Sequence, residues 1–219
     1  MEWLFESIDL YCERTSPGLF AEPLNLFSNI SFVLAGIWGL RYKRNASNLF
    51  SGTLSRNEFG SLCYLAIVVG IGSSLFHSIA TRWAQLADVI PIGIFLVIFL
   101  WTTLKKGFNL NTRDSALGIL GFIIVSGLFS AVVPKSFANG SQSYFGTWFT
   151  LSVLSKFAKL KSLSFSPNLA AATALFFAAL VFRSIDMNIC SDFAYGSHFM
   201  WHGLNGVVIY QCLKASTKF

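Results

Sequence analysis

Charged residues are scarce in this chain. Asp, Glu, Lys and Arg make up 12% of its 219 residues, whereas roughly 25% is usual in a soluble domain. Hydrophobic residues reach 54%, with 23 Phe among them. This composition excludes an ordinary soluble domain and predicts a polytopic membrane protein. The net charge of +6 does not indicate nucleic acid as a partner, because the basic residues lie in short loops between apolar stretches.

Several sequence features of other architectures are missing. Residues 1–22 are acidic and interrupted by Pro17, so we expect no signal peptide, which would have a basic start followed by an apolar stretch. The chain shows no internal repeat, no low-complexity segment and no long linker. We therefore predict one domain over residues 1–219, with residues 1–22 as an acidic segment outside the cytoplasm.

Seven apolar stretches are predicted to be membrane-spanning helices, each near the roughly 20 residues that cross the hydrocarbon core. They cover residues 24–40, 59–80, 86–104, 116–133, 141–156, 168–182 and 197–213. With these seven helices, twelve Lys and Arg residues lie on one side of the membrane. Four lie on the other side: Arg14, Arg82, Lys135 and Arg183. Positive residues favour cytoplasmic loops. We predict an all-α, seven-transmembrane-helix bundle with the N-terminus outside and the C-terminus in the cytoplasm.

The chain has only three histidines, and this topology places all of them near the outer end of the bundle. His198 and His202 are four residues apart and share one helix face, and His77 lies at the outer end of the second predicted helix. Imidazole is costly in lipid unless it has a partner or a function. Three protein ligands and one open position are usual for catalytic zinc. We predict zinc bound by these histidines, against the alternative of interhelical hydrogen bonds without metal.

Features of other helical sites are lacking here. Phe199 stands where the zinc motif H-E-x-x-H has its catalytic glutamate, so a hydrolase would need its base from elsewhere. His198 and His202 on one helix face cannot supply both axial ligands of a haem. The seventh predicted helix has no internal lysine to form a Schiff base with retinal.

Asp88 is the candidate base, because it lies in an apolar stretch where a carboxylate is energetically costly unless it has a function. It would orient the water at the metal and accept its proton. Ser73, one turn before His77, would donate to the developing oxyanion, and the alternative for Ser73 is helix packing among small residues. A site at this depth favours a membrane lipid ester or amide as substrate.

Two cysteines fall on the outer side, where disulfides persist. Cys12 and Cys190 both lie in segments predicted to be non-helical, so we predict a disulfide between them, with two free thiols as the alternative. Asp186 lies in the same outer loop as Cys190. It is expected to pair with Arg183 or to cap a helix.

These residues together resemble the alkaline ceramidases, which belong to a wider group of seven-helix hydrolases that includes the adiponectin-receptor type. The similarity rests on Gly72-Ser-Ser-Leu-Phe-His77, on Asp88 eleven residues later and on His198-x-x-x-His202. Near the start, Cys12-Glu13 and Glu22-x-x-Asn25-x-x-Ser28-Asn29 are similar to the family's N-terminal motif. The short loops and compact N-terminus indicate a bacterial-type member.

The resemblance implies hydrolysis of the amide bond of ceramide, which gives a sphingoid base and a fatty acid. It implies that the three histidines hold zinc, that Asp88 acts on the water and Ser73 on the oxyanion, and that Cys12 and Cys190 are bridged.

Calcium is the second metal that the resemblance raises. The eukaryotic enzymes bind it through Asp-Trp-Cys-Glu with an Asn two residues after the Glu, whereas here the run is Asp9-Leu-Tyr-Cys12-Glu13-Arg14-Thr15. Asp9, Glu13 and Glu22 could still supply the hard oxygen ligands that calcium takes. Arg14 could instead neutralise the same carboxylates by an ion pair, and both interpretations stay open at this point.

The sequence thus predicts a zinc-dependent amidohydrolase that acts on the linear amide of ceramide or a similar membrane lipid. The alternative is a non-catalytic seven-helix lipid-binding receptor or structural membrane protein with a structural zinc. The expected location is a bacterial inner membrane with the site facing the periplasm, or a eukaryotic endomembrane with the site facing the lumen. The expected partners are the lipid substrate and the bilayer, and no nucleic acid.

Overall fold

The computed structural model of the protein describes residues 2–45, 54–134 and 136–219. Lys135, one of the four basic residues assigned to the outer side, lies outside the described residues. Within these ranges the regular structure is helical, and β-pairing is limited to one isolated bridge between Ser7 and Thr81. The α-helices are α1 (Pro23–Ser28), α2 (Ile30–Asn45), α3 (Arg56–Ile79), α4 (Arg82–Thr102), α5 (Thr112–Val132), α6 (Gln142–Leu160), α7 (Ser166–Ile185) and α8 (His198–Ser216).

Each of the seven predicted stretches overlaps one long helix from α2 to α8. Five helical segments are apolar and long enough to cross a membrane: Pro23–Lys43, Arg56–Ile79, Arg82–Gly107, Thr112–Val132 and Ser166–Asn188. The first of them combines α1 and α2, which are separated only by Asn29 in helical conformation. The protein is therefore all-helical in its described parts, with at least five helices suited to a bilayer.

Helices α6 and α8 are 19 residues long but more polar than those five. Eleven residues of α8 are buried, because α8 packs between α2 and α7 and also contacts α1 and α3. A helix that presents so little surface to lipid can carry histidine and asparagine. In contrast, only Ser115 is buried in α5. The remaining surface of this helix is exposed or half-buried, and its apolar composition suits contact with lipid.

The long helices form a ring in chain order. Each packs against the next from α2 to α8, and α8 closes the ring by packing against α2. The apolar core runs through the ring, with fully buried side chains such as Phe59, Leu62, Leu169 and Leu213. This arrangement brings α3, near one end of the chain, beside α8 at the other.

The N-terminal segment crosses one end of the ring. The Ile8 amide donates to the Ala80 carbonyl at 2.7 Å, and the Arg82 amide donates to the Glu6 carbonyl at 3.2 Å, so the segment is attached to the turn between α3 and α4. A disulfide between Cys12 and Cys190 attaches it to the loop between α7 and α8. The predicted disulfide is present, and it gathers three connecting segments at the end of the bundle that holds the histidines.

Candidate metal centre

The three histidines meet inside the bundle. His77 from α3 and His202 from α8 face each other with 3.1 Å between their Nε2 atoms. His198 lies one turn before His202, and one nitrogen from each of the three rings lies within 4.8 Å of the others. All three residues are buried, with 2% or less of their surface exposed. Among the described residues this is the only His, Cys, Asp and Glu group arranged to hold a metal ion.

The short helix α1 supports two of the three imidazoles. Glu22, the residue just before α1, places Oε2 at 2.6 Å from His77 Nδ1. Ser28, the last residue of α1, places Oγ at 2.9 Å from His202 Nδ1. Because both Nδ1 atoms are engaged, both Nε2 atoms are left to face the centre of the cluster. Metal-binding histidines are commonly oriented in this way by a partner on the second ring nitrogen.

Glu22 is itself held by three partners. Arg14 Nε donates to Oε1 at 2.5 Å, Asn25 Nδ2 donates to Oε2 at 3.1 Å, and His77 shares Oε2. Burial raises the pKa of the Glu22 carboxyl, but hydrogen bonds from His77, Arg14 and Asn25 outweigh burial and bring this pKa below its usual value. Glu22 is thus an ionised carboxylate that supports His77.

His198 is placed by the N-terminus of α8. Its backbone N–H donates to Asp186 Oδ1 at 2.9 Å, and Asp186 also accepts from the N–H groups of Ser197 and Cys12. Asp186 is therefore a helix cap, which was one of the two roles expected for it, and its oxygens face backbone donors rather than Arg183. The His198 ring stacks on Tyr11 with 3.6 Å between centroids.

The donor set fits a transition metal. His198 Nδ1 is buried and has no hydrogen-bond partner within the described protein, which is unusual for a buried polar atom. Two further imidazoles direct Nε2 toward the same space and are supported from behind. Three imidazoles that face one space match the protein ligands that catalytic zinc takes.

Asp88 and Ser73 are brought to the same place by close contact between α3 and α4. A Cβ atom at Gly72 would overlap the Ala87 carbonyl oxygen, so only glycine allows this approach. Ser73 is buried and lies within hydrogen-bonding reach of the Asp88 carboxylate. Asp88 Oδ1 is buried and has no protein partner in the described chain, and Asp88 interacts electrostatically with His77.

The three residues considered for calcium do not form a common site. Glu22 faces Arg14 and His77, and Glu13 accepts the backbone N–H groups of Leu24 and Asn25 at 2.6 and 2.8 Å. Asp9 is exposed and forms no metal-binding group with the other two among the described residues. The ion pair between Arg14 and Glu22, which was the alternative to calcium, is what the structure contains.

Sequence reasoning missed several residues around the histidines. Glu22 was noted as part of a motif and as a possible calcium ligand, and Ser28 only as part of the motif, so neither was predicted to support a histidine. Arg183 was treated as a loop charge, but its guanidinium lies over the rings of Tyr11, Tyr144 and Trp201, with 5.3 to 5.8 Å between Cζ and the ring centroids. No local pattern connects these four residues, because they come from four separate segments.

An apolar cavity lies between the helices of the bundle, and its lining includes neighbours of the histidines on α8 but none of the three histidines themselves. Trp201 and Asn205 on α8 line it next to His202, together with Tyr144 on α6 and Phe95 and Phe99 on α4. Its volume is about 60 Å³, which is room for a few water molecules. A long hydrocarbon chain enters only if the surrounding side chains move apart.

The family model described as Ceramidase matches residues 8–216, which is nearly the whole chain. The chain belongs to this family of hydrolases, as its motifs predicted. No curated protein matches the sequence.

Proposed function

We propose that this protein is a zinc-dependent membrane amidase that hydrolyses the amide bond of ceramide or a closely similar lipid. The observation that carries the proposal is the meeting of His77, His198 and His202 beside Asp88 and Ser73. Membership of the Ceramidase family supports the same substrate bond. The buried, unpartnered Asp88 Oδ1 argues against a zinc with a purely structural role, since such a site needs no unpaired carboxylate beside it.

His77, His198 and His202 would hold the metal, and the support from Glu22 and Ser28 would fix the orientation of two of them. When bound, zinc acts as a Lewis acid on the amide carbonyl and lowers the pKa of water.

Asp88 would act first as the general base and then as the general acid. Its carboxylate accepts a proton from the attacking water, whose oxygen forms the new bond to the carbonyl carbon. Asp88 then gives this proton to the leaving amine nitrogen as the C–N bond breaks. Ser73, which lies beside this carboxylate in the resting site, would turn its single O–H donor to the carbonyl oxygen as negative charge develops there. The products are a fatty acid and a sphingoid base.

The lining of the apolar cavity suits the hydrocarbon part of such a substrate, which would enter as the surrounding side chains move apart. The cavity is lined mostly by aromatic and aliphatic side chains and reaches from Trp201 to Cys212 along α8, which is about 16 Å at 1.5 Å per residue. We infer that the acyl chain lies along α8, with its amide at the level of the histidines.

We further infer a seven-span topology with the N-terminus outside. The charge bias of the loops supports it, and α6 and α8 are each 19 residues long, about the length that crosses a bilayer. The metal centre would then face the periplasm of a bacterial inner membrane, or the lumen if the host is eukaryotic. The disulfide at the same end agrees with an oxidising compartment.

The test is hydrolysis of labelled ceramides by purified protein in detergent, together with metal quantification. We expect Asp88→Asn to retain metal and to lower kcat by about 10²- to 10⁴-fold, the range for general acid–base groups. His202→Ala should lose both metal and activity. Ser74→Ala is the matched control for Ser73→Ala, because Ser74 faces an open groove beside Ile71 and Leu75. Full activity in Asp88→Asn, or a metal-loaded wild type that cleaves no lipid amide, would contradict the proposal.

A further inference from the structure

Arg183 is a partly buried cation in the last turn of α7 that has no carboxylate partner among the described residues. No Asp or Glu oxygen of the described chain lies within 4.0 Å of its nitrogens, since it appears in none of the three ion pairs. Nη1 donates to the Asn139 carbonyl at 3.1 Å, and Nη2 donates to the Tyr11 hydroxyl at 3.5 Å. Asp186, one turn away, is occupied by three backbone N–H groups.

The energetic cost of a charge without a carboxylate partner has to be offset by other contacts or by a ligand. An arginine at the end of a membrane-spanning helix usually reaches the aqueous interface, pairs with an acid or marks the path of a substrate or ion. Three aromatic rings lie within 6 Å of its Cζ atom, and cation–π contacts stabilise the charge only partly. The guanidinium has five N–H donors, and the contacts to Asn139, Tyr11 and the nearby Tyr144 hydroxyl leave donors free.

Arg183 lies close to both the histidine cluster and the residues that line the cavity. It interacts electrostatically with Asp88, His198 and His202. Two of its aromatic neighbours, Tyr144 and Trp201, also line the apolar cavity. A ligand whose chain enters this cavity beside Tyr144 and Trp201 therefore brings its polar end close to Arg183.

Amide hydrolysis changes the charge of the lipid group that lies near Arg183. The substrate amide is neutral, whereas the acid that is released carries a carboxylate at neutral pH. Arg183 gains little from a neutral amide but forms charge-assisted hydrogen bonds with a carboxylate, and the planar guanidinium matches its two oxygens.

We propose that Arg183, with Tyr144 beside it, forms the binding site for the carboxylate of a long-chain fatty acid whose hydrocarbon chain enters the apolar cavity as the lining side chains move apart. This inference rests on the proposed function, because the ligand is its acyl product. The same chemistry would also recognise an anionic lipid headgroup, and the experiment separates the two sources.

The experiment measures binding to the purified, metal-loaded full chain in detergent, by displacement of a fluorescent fatty acid. The competitors are palmitate, the alcohol of the same chain length and the alkyl phosphate of the same chain length. We expect wild-type protein to prefer palmitate, and Arg183→Met to bind palmitate roughly 10- to 100-fold more weakly, as expected for lost hydrogen bonds to a charged group. Binding of the alcohol should change by less than about twofold, because it has no charge to lose.

Arg82→Met is the matched control. Arg82 also lies over an aromatic ring, that of Trp3, and pairs with the exposed Glu6, so its loss should leave palmitate binding unchanged. Arg183→Gln is the second neutral variant in case Arg183→Met does not fold, with thermal unfolding as the check, and it should show the same selective loss.

Equal weakening of palmitate and alcohol, or unchanged palmitate binding, would overturn the inference. Alkyl phosphate that binds more tightly than palmitate, with the same dependence on Arg183, would overturn the fatty-acid assignment in favour of a headgroup. Because turnover is measured separately, a protein that binds palmitate through Arg183 but cleaves no lipid amide would reject the proposed function and leave this site intact. Active protein without a selective effect at Arg183 would do the reverse.

Discussion

Glu22 and His77 are 55 residues apart in the chain but are joined by a hydrogen bond of 2.6 Å between Oε2 and Nδ1. Arg14 closes the arrangement from the outside, because its Nε atom contacts Glu22 and its Nη2 atom donates to the His77 carbonyl at 3.0 Å. The N-terminal segment is therefore part of the candidate metal centre. Its role is to supply the partners that orient imidazoles on α3 and α8.

The first prediction concerns this support. Replacing Glu22 by Gln keeps the size of the side chain but removes the negative charge that faces His77 and Arg14. We expect zinc affinity to fall about 10- to 100-fold, as is typical when such a partner of a metal ligand is lost. Competition against a chelator of known affinity measures this change. Glu6→Gln is the control, because Glu6 pairs with Arg82 at the exposed surface, and equal affinity in both variants would contradict the role of Glu22.

The candidate metal ligands and the candidate base could be picked out from the sequence because they are rare polar residues in apolar surroundings. His77, His198, His202 and Asp88 are conspicuous against helices rich in Leu, Ile and Phe, and the helical period places them at one depth. The predicted helix topology was enough to place these four residues at the same end of the bundle. The long helices were predicted from apolar stretches of about the length that crosses a bilayer, and α6 and α8 are more polar than the five most apolar segments.

The residues around the ligands were less predictable. Glu22 and Ser28 act on histidines of two other helices only because α1 lies between α3 and α8. Arg183 and Tyr144 meet because the turn before α6 docks on α7, and aromatic residues are so frequent at 16% of the chain that no single one attracts notice. Such contacts depend on packing between distant segments, which local periodicity does not encode.

The second prediction tests the contact between α3 and α4. In Gly72→Ala the new methyl group would overlap the Ala87 carbonyl, so the helices must separate and draw Ser73 away from Asp88. We expect a loss of stability of about 1–3 kcal/mol, as for other overpacked positions, and a lower kcat. Gly93→Ala on α4 is the matched control, because nothing lies within 4 Å of its added Cβ. If both variants unfold at the wild-type temperature, the close approach is not needed.

The third prediction concerns the disulfide. Cys12 and Cys190 are 178 residues apart, and Tyr11 beside Cys12 stacks on His198. We expect the double variant Cys12→Ser, Cys190→Ser to be less stable by about 2–4 kcal/mol and to bind zinc less tightly. Thermal unfolding with and without a reductant provides the control. The reductant should lower the unfolding temperature of wild-type protein and leave the double variant unchanged, and an equal response of both proteins would exclude this bond as the cause.

The last prediction follows from Glu13, whose carboxylate accepts the N–H groups of Leu24 and Asn25 in the first turn of α1. Burial raises the pKa of Glu13 above its ordinary value of 4.5, although those two hydrogen bonds oppose the shift. The folded protein therefore holds this proton more tightly than the unfolded chain does. The associated stabilisation is fully present below the ordinary pKa and is lost as the pH rises through the folded-state pKa.

In Glu13→Gln this pH-dependent contribution is absent. We expect the unfolding temperature of wild-type protein to fall relative to that of Glu13→Gln as the pH is raised from about 4 to 7, the interval above the ordinary carboxyl pKa. Glu2→Gln, which changes an exposed carboxylate, should follow the wild-type curve. A difference between wild type and Glu13→Gln that stays constant over this interval would show that Glu13 does not bind its proton more tightly on folding. In that case its hydrogen bonds to α1 would outweigh its burial.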